Sequence, residues 1–320
     1  MKTHIRSLLL VLGASLLPAW AASFPDRPVK MLVGFAAGGI TDITARQIAE
    51  NMSRTLGQPV VVDNRAGAGG NIATSELARA QPDGYTIMLA SPGQLVVNPL
   101  TQKSPGFDPK TKFTLLSLAN ESPFVLVVPA NSRFKSVPEM VAWGKSHEGG
   151  LSFASPGLGT TMHIAGEMLQ VMTGVKAVHV PYRGGAQSTN DLVAGRVDFM
   201  IDSVGAVAAQ LQAGQLKVLA VASNRPLPQF PGAPLLSSMY PGLEVSSWLG
   251  VVGPPGMPED VQRILIGAVE LAVREPAYMQ MLEKRGSTVA PAGSAAFAAH
   301  LAKERERVER TVVKAGLRLD

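Results

Sequence analysis

The chain has 320 residues, with 29 Lys plus Arg against 24 Asp plus Glu, 46% hydrophobic and 17% charged residues, and no cysteine. That is too apolar for a disordered polypeptide and longer than one hydrophobic core usually supports, so two lobes are expected. Cysteine nucleophiles, iron–sulfur clusters and cysteine zinc sites are excluded, and the five histidines lack the paired spacing of a helical metal site.

Lys2, His4 and Arg6 form a basic start, Ser7 to Leu17 is almost wholly apolar, and Ala19-Trp20-Ala21 offers small residues where a signal peptidase reads. Residues 1–21 are therefore expected to be a cleaved export signal that sends the protein to the periplasm, since the run is too short to anchor in a bilayer. Losing Lys2 and Arg6 takes the 29 basic residues to 27 against 24 acidic ones. So slight an excess, with no basic run, gives no reason to expect nucleic acid as a partner.

In the mature chain, short apolar runs alternate with helical patterns, which predicts parallel sheets covered by helices. Val29 to Phe35 reads as a strand; after Gly38-Gly39, Asp42 opens a helix in which Ala45, Ile48, Met52 and Leu56 recur at helical spacing. Gly57 and Pro59 end it, and the next strand begins at Pro59 to Val62. A helix through Ile72, Ala73, Leu77 and Ala80 and a strand at Tyr85 to Ala90 complete a β-α-β-α-β unit. A buried strand is predicted at Pro123 to Val128, and a second alternation follows. Its strands are Leu151 to Ala154, Ala177 to Val180, Val197 to Ile201 and Leu216 to Ala222; its helices are Thr160 to Met172, Gln187 to Ala194 and Val204 to Gln212. Arg225 to Pro241, with five prolines, reads as an irregular connection, and Trp248 to Val252 returns as a strand. Helices near Pro258 to Arg274, Pro276 to Lys284 and Ala295 to Lys314 end the chain. The predicted class is α/β with two doubly wound lobes and a cleft between them: 22–122 plus 247–320 as lobe 1, and 123–246 as lobe 2.

Ligands bind at the carboxyl ends of strands in such sheets. At the first such end, Phe35-Ala36-Ala37-Gly38-Gly39-Ile40-Thr41-Asp42, the glycines let backbone N–H groups approach an anion, and the helix points its positive end at the same place. Asp42 also suits a helix cap. At the second, Ser155, Gly159, Thr160 and Thr161 combine hydroxyl and backbone donors; His163 reads as a support of the turn or a ligand contact. At the third, Val180 to Ala186, Arg183 either clamps a carboxylate or faces solvent, beside Gly184. Asp202 follows a strand and suits a ligand amine or hydroxyl, or a helix cap. Gly67-Ala68-Gly69 lacks the third glycine of a dinucleotide fingerprint, because Ile72 stands there; Ser155 and His163 lack a nucleophile elbow and an acidic orienter. No cofactor and no metal are expected.

Phe35-Ala36-Ala37-Gly38-Gly39 with Thr41-Asp42 and Ala45-Arg46, Asp63-Asn64-Arg65-Ala66-Gly67-Ala68-Gly69-Gly70, and Pro82-Asp83-Gly84-Tyr85-Thr86 appear in that order. They are followed by Ala154-Ser155-Pro156-Gly157 with Gly159-Thr160 and His163, Val180-Pro181-Tyr182-Arg183-Gly184, Asp191-Leu192, Val197-Asp198, and Ser246-Ser247-Trp248. This series resembles the tripartite tricarboxylate transporter receptors, also called Bug proteins, over essentially the whole mature chain. The resemblance implies a type II periplasmic-binding-protein fold that closes on a small carboxylated solute and presents it to membrane permease subunits, as a monomer and without catalysis. It places one carboxylate on Ala36 to Gly39 with Asp42 and on Ser155 with Gly159 to Thr161. Ser91, Gln94, Arg183 and Asp202 become candidates for reading the far end of the ligand. The first loop here carries Ala36-Ala37 where the family often has prolines, and Gln187-Ser188 stands where a proline is usual, which alters the distal pocket. A sensing partner of a membrane signalling protein and an exported enzyme are the alternative functions.

Overall fold

The first strand, β1 (Val29–Val33), is buried at nearly every position, as a parallel strand covered on both faces must be. In the computed structural model, which describes residues 24–317 apart from 183, 224, 291 and 292, β1 lies between two parallel neighbours, β2 (Val60–Asn64) and β3 (Thr86–Ala90). The predicted signal at 1–21 and Arg183 lie outside the described residues. Helix α1 (Ile40–Leu56) connects β1 to β2 and stops at Gly57, whose φ of 67° suits glycine; α2 (Asn71–Arg79) connects β2 to β3. Beyond β3 a wide helical turn at Gly93–Val97 runs into the short α3 (Asn98–Thr101).

The two sheets share one strand. β4 (Thr114–Pro129) is 16 residues long. Its first part pairs antiparallel with β9 (Ser246–Gly253), and its last part pairs antiparallel with β7 (Met200–Ser203) and β8 (Leu216–Val221). The first sheet runs β2-β1-β3-β9-β4-β10, with β10 at Thr288–Val289. In the second, β5 (Leu151–Ser155) and β6 (Ala177–Pro181) pair in parallel, and a bridge from Phe153 to Phe199 joins them beside β7. The order β6-β5-β7-β4-β8 repeats that of β2-β1-β3-β9-β4. This is the two-lobed type II arrangement, and the carboxyl ends of β1, β3, β5, β6 and β7 carry the turns singled out in the sequence.

The sheets are mixed rather than parallel, because β9 runs antiparallel to β3 and β4 in the first sheet and β4 runs antiparallel to β7 and β8 in the second. Several boundaries differ from the prediction. The strand expected at Pro123 to Val128 starts at Thr114; Asn120-Glu121-Ser122 hid it, since these polar residues find partners off the strand. Asn120 Oδ1 accepts from Tyr278 Oη at 3.3 Å, Ser122 and Ser287 hydroxyls meet at 2.8 Å, and Glu121 lies 3.3 Å from His300 Nδ1. The strand expected at Val197 to Ile201 is instead Met200–Ser203, because Asp198 turns to accept the Ser152 amide and hydroxyl at 2.8 and 2.9 Å. Helix α4 (Val137–Ser146) was not anticipated; Ser136 caps it by accepting from the Glu139 amide at 3.3 Å. The proline-rich connection contains a single helical turn, α8 (Leu236–Met239).

The covering helices are α5 (Thr161–Thr173), α6 (Gly185–Val193) and α7 (Val204–Gln212) on the second sheet, with α9 (Glu259–Val273), α10 (Pro276–Lys284) and α11 (Ser294–Ala315) at the C-terminal end. Met31, Val33, Ile48, Leu265 and Tyr278 lie fully buried in one layer of the first lobe, burial of each of the four aliphatic side chains contributing about 1.5–3 kcal/mol. Trp248 and Phe297 pack edge to face, 5.3 Å apart, where α11 covers the crossing strands. The Trp248 indole donates to the buried Glu304 carboxylate, whose pKa burial pushes up to about 7. Among the described residues no helix is long and apolar enough to cross a membrane.

Candidate functional site

At the end of β1, Ala36 to Ile40 are exposed while Phe35 and Thr41 are half-buried. Helix α1 begins at Ile40 with Gly39 as its cap, so no side chain closes its first turn. Gly38 has φ 82°, a conformation glycine tolerates and larger residues resist. Asp42 is 2% exposed and sits inside the first turn rather than at the cap. Its carboxylate accepts from the Gly38 amide at 2.8 Å, Arg46 Nε at 3.1 Å and Asn64 Nδ2 at 3.0 Å. Burial alone would raise its pKa, but these hydrogen bonds and the Arg46 charge together hold it below the ordinary carboxylate value. Asp42 therefore builds the turn. The amides of the first helical turn, which lack intrahelical acceptors, are the donors left facing outward.

Ser91 and Gln94, expected at the far end of the ligand, are turned inward. Gln94 is fully buried; its Oε1 accepts from the Ser91 amide and hydroxyl, both at 3.1 Å, and its Nε2 donates to Gly70 O and Thr74 Oγ1, both at 3.3 Å. The pair ties the end of β3 to the glycine turn preceding α2.

In the turn after β5, Ser155 is fully buried, with its Oγ 2.9 Å from Gly157 O and 2.7 Å from His179 Nε2. Thr160 is the cap of α5: its hydroxyl donates to Gly157 O at 2.8 Å and accepts from the His163 amide at 3.3 Å. Both side chains expected to donate to a carboxylate thus hold the turn itself. His163 is 3% exposed; its Nδ1 accepts from the Gly159 amide at 3.2 Å and therefore carries no proton, and its Nε2 lies 3.7 Å from Glu167. It stacks on His179 with ring centroids 3.9 Å apart. Burial and the neighbouring His163 push the His179 pKa down to about 3. Thr161, half-buried, begins the helix proper.

At the third turn, Gly184 caps α6 without a side chain, and a Cβ placed there would meet nothing within 4 Å. Asp202 is 1% exposed on β7; Oδ1 accepts from the Ser203 amide at 2.6 Å, while Oδ2 is buried with no hydrogen-bond partner among the described residues. Desolvation outweighs the Ser203 bonds and pushes its pKa up to about 7.

The two lobes approach each other where a Cβ on Gly93, just past β3, would lie 3.7 Å from the Gly159 carbonyl oxygen; within the second lobe, one on Gly157 would lie 3.5 Å from that of Tyr182. The supporting roles of Arg46, Asn64 and His179 were missed as site residues, although the i,i+4 spacing of Asp42 and Arg46 pointed to the first. A cavity of about 510 Å³ lies elsewhere, beside the crossing strands, lined among others by Glu121, Arg225, Glu244, His300 and Glu304; none of the predicted site residues borders it.

Residues 44–317 match the family model described as the tripartite tricarboxylate transporter family receptor, TctC. A protein encoded in the tcbD-tcbE intergenic region of Pseudomonas sp. (strain P51) is 39% identical over 294 residues, covering 91% of this chain and 87% of that protein. Among solved structures, the periplasmic binding protein BugD is 34% identical, covering 92% of this chain and 99% of its own, with a TM-score of 0.79. An adipate-bound protein of R. palustris is 32% identical over 92% and 99%, with a TM-score of 0.81. MatC from Rhodopseudomonas palustris, with bound malate, is 30% identical over 90% and 100%, with a TM-score of 0.79. The chain therefore belongs to the tripartite tricarboxylate transporter family of receptors, the TctC or Bug solute-binding proteins.

Proposed function

We propose that this protein is a periplasmic receptor that captures a small carboxylated metabolite between two lobes, 22–122 with 247–320 and 123–246, and delivers it to a tripartite tricarboxylate-type permease. One observation carries the reading: three helices start at glycine or threonine caps at the carboxyl ends of strands, and turns of the two sheets come together at Gly93 and Gly159. Each such helix start favours a nearby anion by about 0.3–1 kcal/mol when exposed and more when partly buried. Charge-assisted bonds from backbone N–H groups add roughly 1.5–3 kcal/mol each. After ordering and desolvation costs a net near −8 kcal/mol, meaning roughly micromolar affinity, is consistent with capture and release. The bound adipate and malate of its structural relatives support a dicarboxylate of four to six carbons as the first ligands to test.

Capture without turnover fits the same geometry, since Ser155 is fully buried and His163 Nδ1 is already occupied. A calorimetric and thermal-shift screen with malate, adipate and related acids tests the reading. The expected result is saturable binding of at least one acid, a raised melting temperature and a smaller radius of gyration by X-ray scattering. Absence of any binding at millimolar concentration across the series would overturn it.

A further inference from the structure

A cavity of about 290 Å³ opens between the segment joining α3 to β4 and the face of α11, and none of the glycine-turn residues borders it. Its walls are of two kinds. Leu95, Phe107, Phe113 and Leu301 supply apolar surface. The two phenylalanine rings meet edge to face, 5.9 Å apart, and both are half-buried, so ring area is left uncovered. Lys110, Lys112 and Arg305 supply an exposed cationic rim, and no carboxylate lines the cavity. Asp108, the acidic residue nearest in sequence to Lys110, turns its Oδ1 to the Lys110 amide at 2.9 Å; of the two glutamates that flank Arg305, Glu304 is buried against Trp248 and Glu306 lies 3.7 Å from Arg310. Among the described residues none of the three cations has an ion-pair partner.

Three like charges around uncovered aromatic surface repel one another and leave apolar area in water, and both costs disappear when an anion with an apolar body is seated. We infer that this cavity is a second binding site, separate from the cleft, for a small amphipathic anion whose carboxylate or sulfonate head lies among Lys110, Lys112 and Arg305 while its body covers Phe107 and Phe113. The volume stands at the lower end of ligand pockets, which suits a single ring system or a short alkyl chain. The apolar floor lowers the local dielectric and strengthens the attraction between head and rim.

The test uses two probes, the fluorophore 1-anilinonaphthalene-8-sulfonate and octanoate. The fluorophore is expected to bind saturably, octanoate to displace it, and octanol to do so at least about tenfold less effectively. Raising sodium chloride from about 50 to 500 mM weakens binding several-fold, because the rim is exposed. The triple variant Lys110→Glu, Lys112→Glu, Arg305→Glu, with circular dichroism and melting temperature matching the wild type, weakens both probes by about tenfold or more. All three substitutions leave the glycine turns untouched, so this loss is separable from any failure of the cleft to bind dicarboxylates. Wild-type affinity in the triple variant overturns the assignment. So does failure of both probes to bind at millimolar concentration, which would leave the depression to an acidic protein segment.

Discussion

Replacing Thr160 by valine keeps the shape of the side chain and removes the hydroxyl that both donates to Gly157 O at 2.8 Å and accepts from the His163 amide at 3.3 Å. Loss of an N-cap costs about 0.5–2 kcal/mol, and the second hydrogen bond adds about 1 kcal/mol. Because Thr160 is half-buried, water replaces part of what is lost, and a net of about 1–2 kcal/mol follows. A folded unit of this size loses roughly 2–4 °C per kcal/mol, so Thr160→Val should melt roughly 3–6 °C below the wild type in scanning calorimetry without ligand. Thr160→Ser, which keeps the hydroxyl, should recover most of the difference. Had the hydroxyl been held free for a solute, the ligand-free valine variant would melt with the wild type. Agreement within about 1 °C would therefore refute the assignment of Thr160 to the scaffold.

Other substitutions probe neighbouring parts of the same argument. Asp42→Ala removes the acceptor shared by Gly38, Arg46 and Asn64 and should cost about 1–3 kcal/mol in urea unfolding at pH 7. Since its folded pKa lies below the ordinary 3.8, that contribution is full above this value and is lost as the pH falls through the folded one, so variant and wild type should converge in acid. Asp202 has the opposite sign: with a folded pKa of about 7 against 3.8, its burial costs stability progressively as pH rises from about 4 to 7. Asp202→Asn should compare better with the wild type at pH 8 than at pH 4, by up to roughly 4 kcal/mol at one pKa unit per 1.36 kcal/mol; a pH-independent difference would contradict this. Gly166→Ala places a methyl group 2.1 Å from the Phe153 ring and should destabilise by about 1–3 kcal/mol, visible as a lowered urea midpoint.

The positions of the three turns were legible in the sequence because glycine, proline and small caps mark strand-to-helix junctions whatever surrounds them. Helix α7 and helix α10 appear at the predicted residues for the same reason: each lies between clear breakers with an apolar stripe in between. What stayed hidden depends on partners distant in the chain. Asn120, Glu121 and Ser122 look like a loop until Tyr278, His300 and Ser287 are brought to them. Ser91 and Gln94 look like ligand readers until the Gly70 turn closes over the Gln94 amide. Polar residues at strand ends carry the same composition whether they face a solute or hold a loop; burial decides between the two, and burial is a property of the tertiary fold.

Under the proposed function, Asp42 sharpens what the cleft can recognise. A carboxylate in the first turn of α1 sits near the positive end of the helix and offsets part of its field, and it also occupies the Gly38 amide. Arg46 lies 3.0 Å from the same carboxylate, so the pair is close to neutral, and the anion-attracting field of this turn comes from the remaining backbone amides. Selection by uncharged, fixed donors implies a ligand recognised by the position of its oxygens more than by its total charge. Adipate and malate should then bind this protein with affinities that vary little between low and moderate salt, as titration at about 50 and 300 mM sodium chloride would show. A fall of more than about tenfold over that range would mean that a free cation, and not the glycine turns, holds the solute.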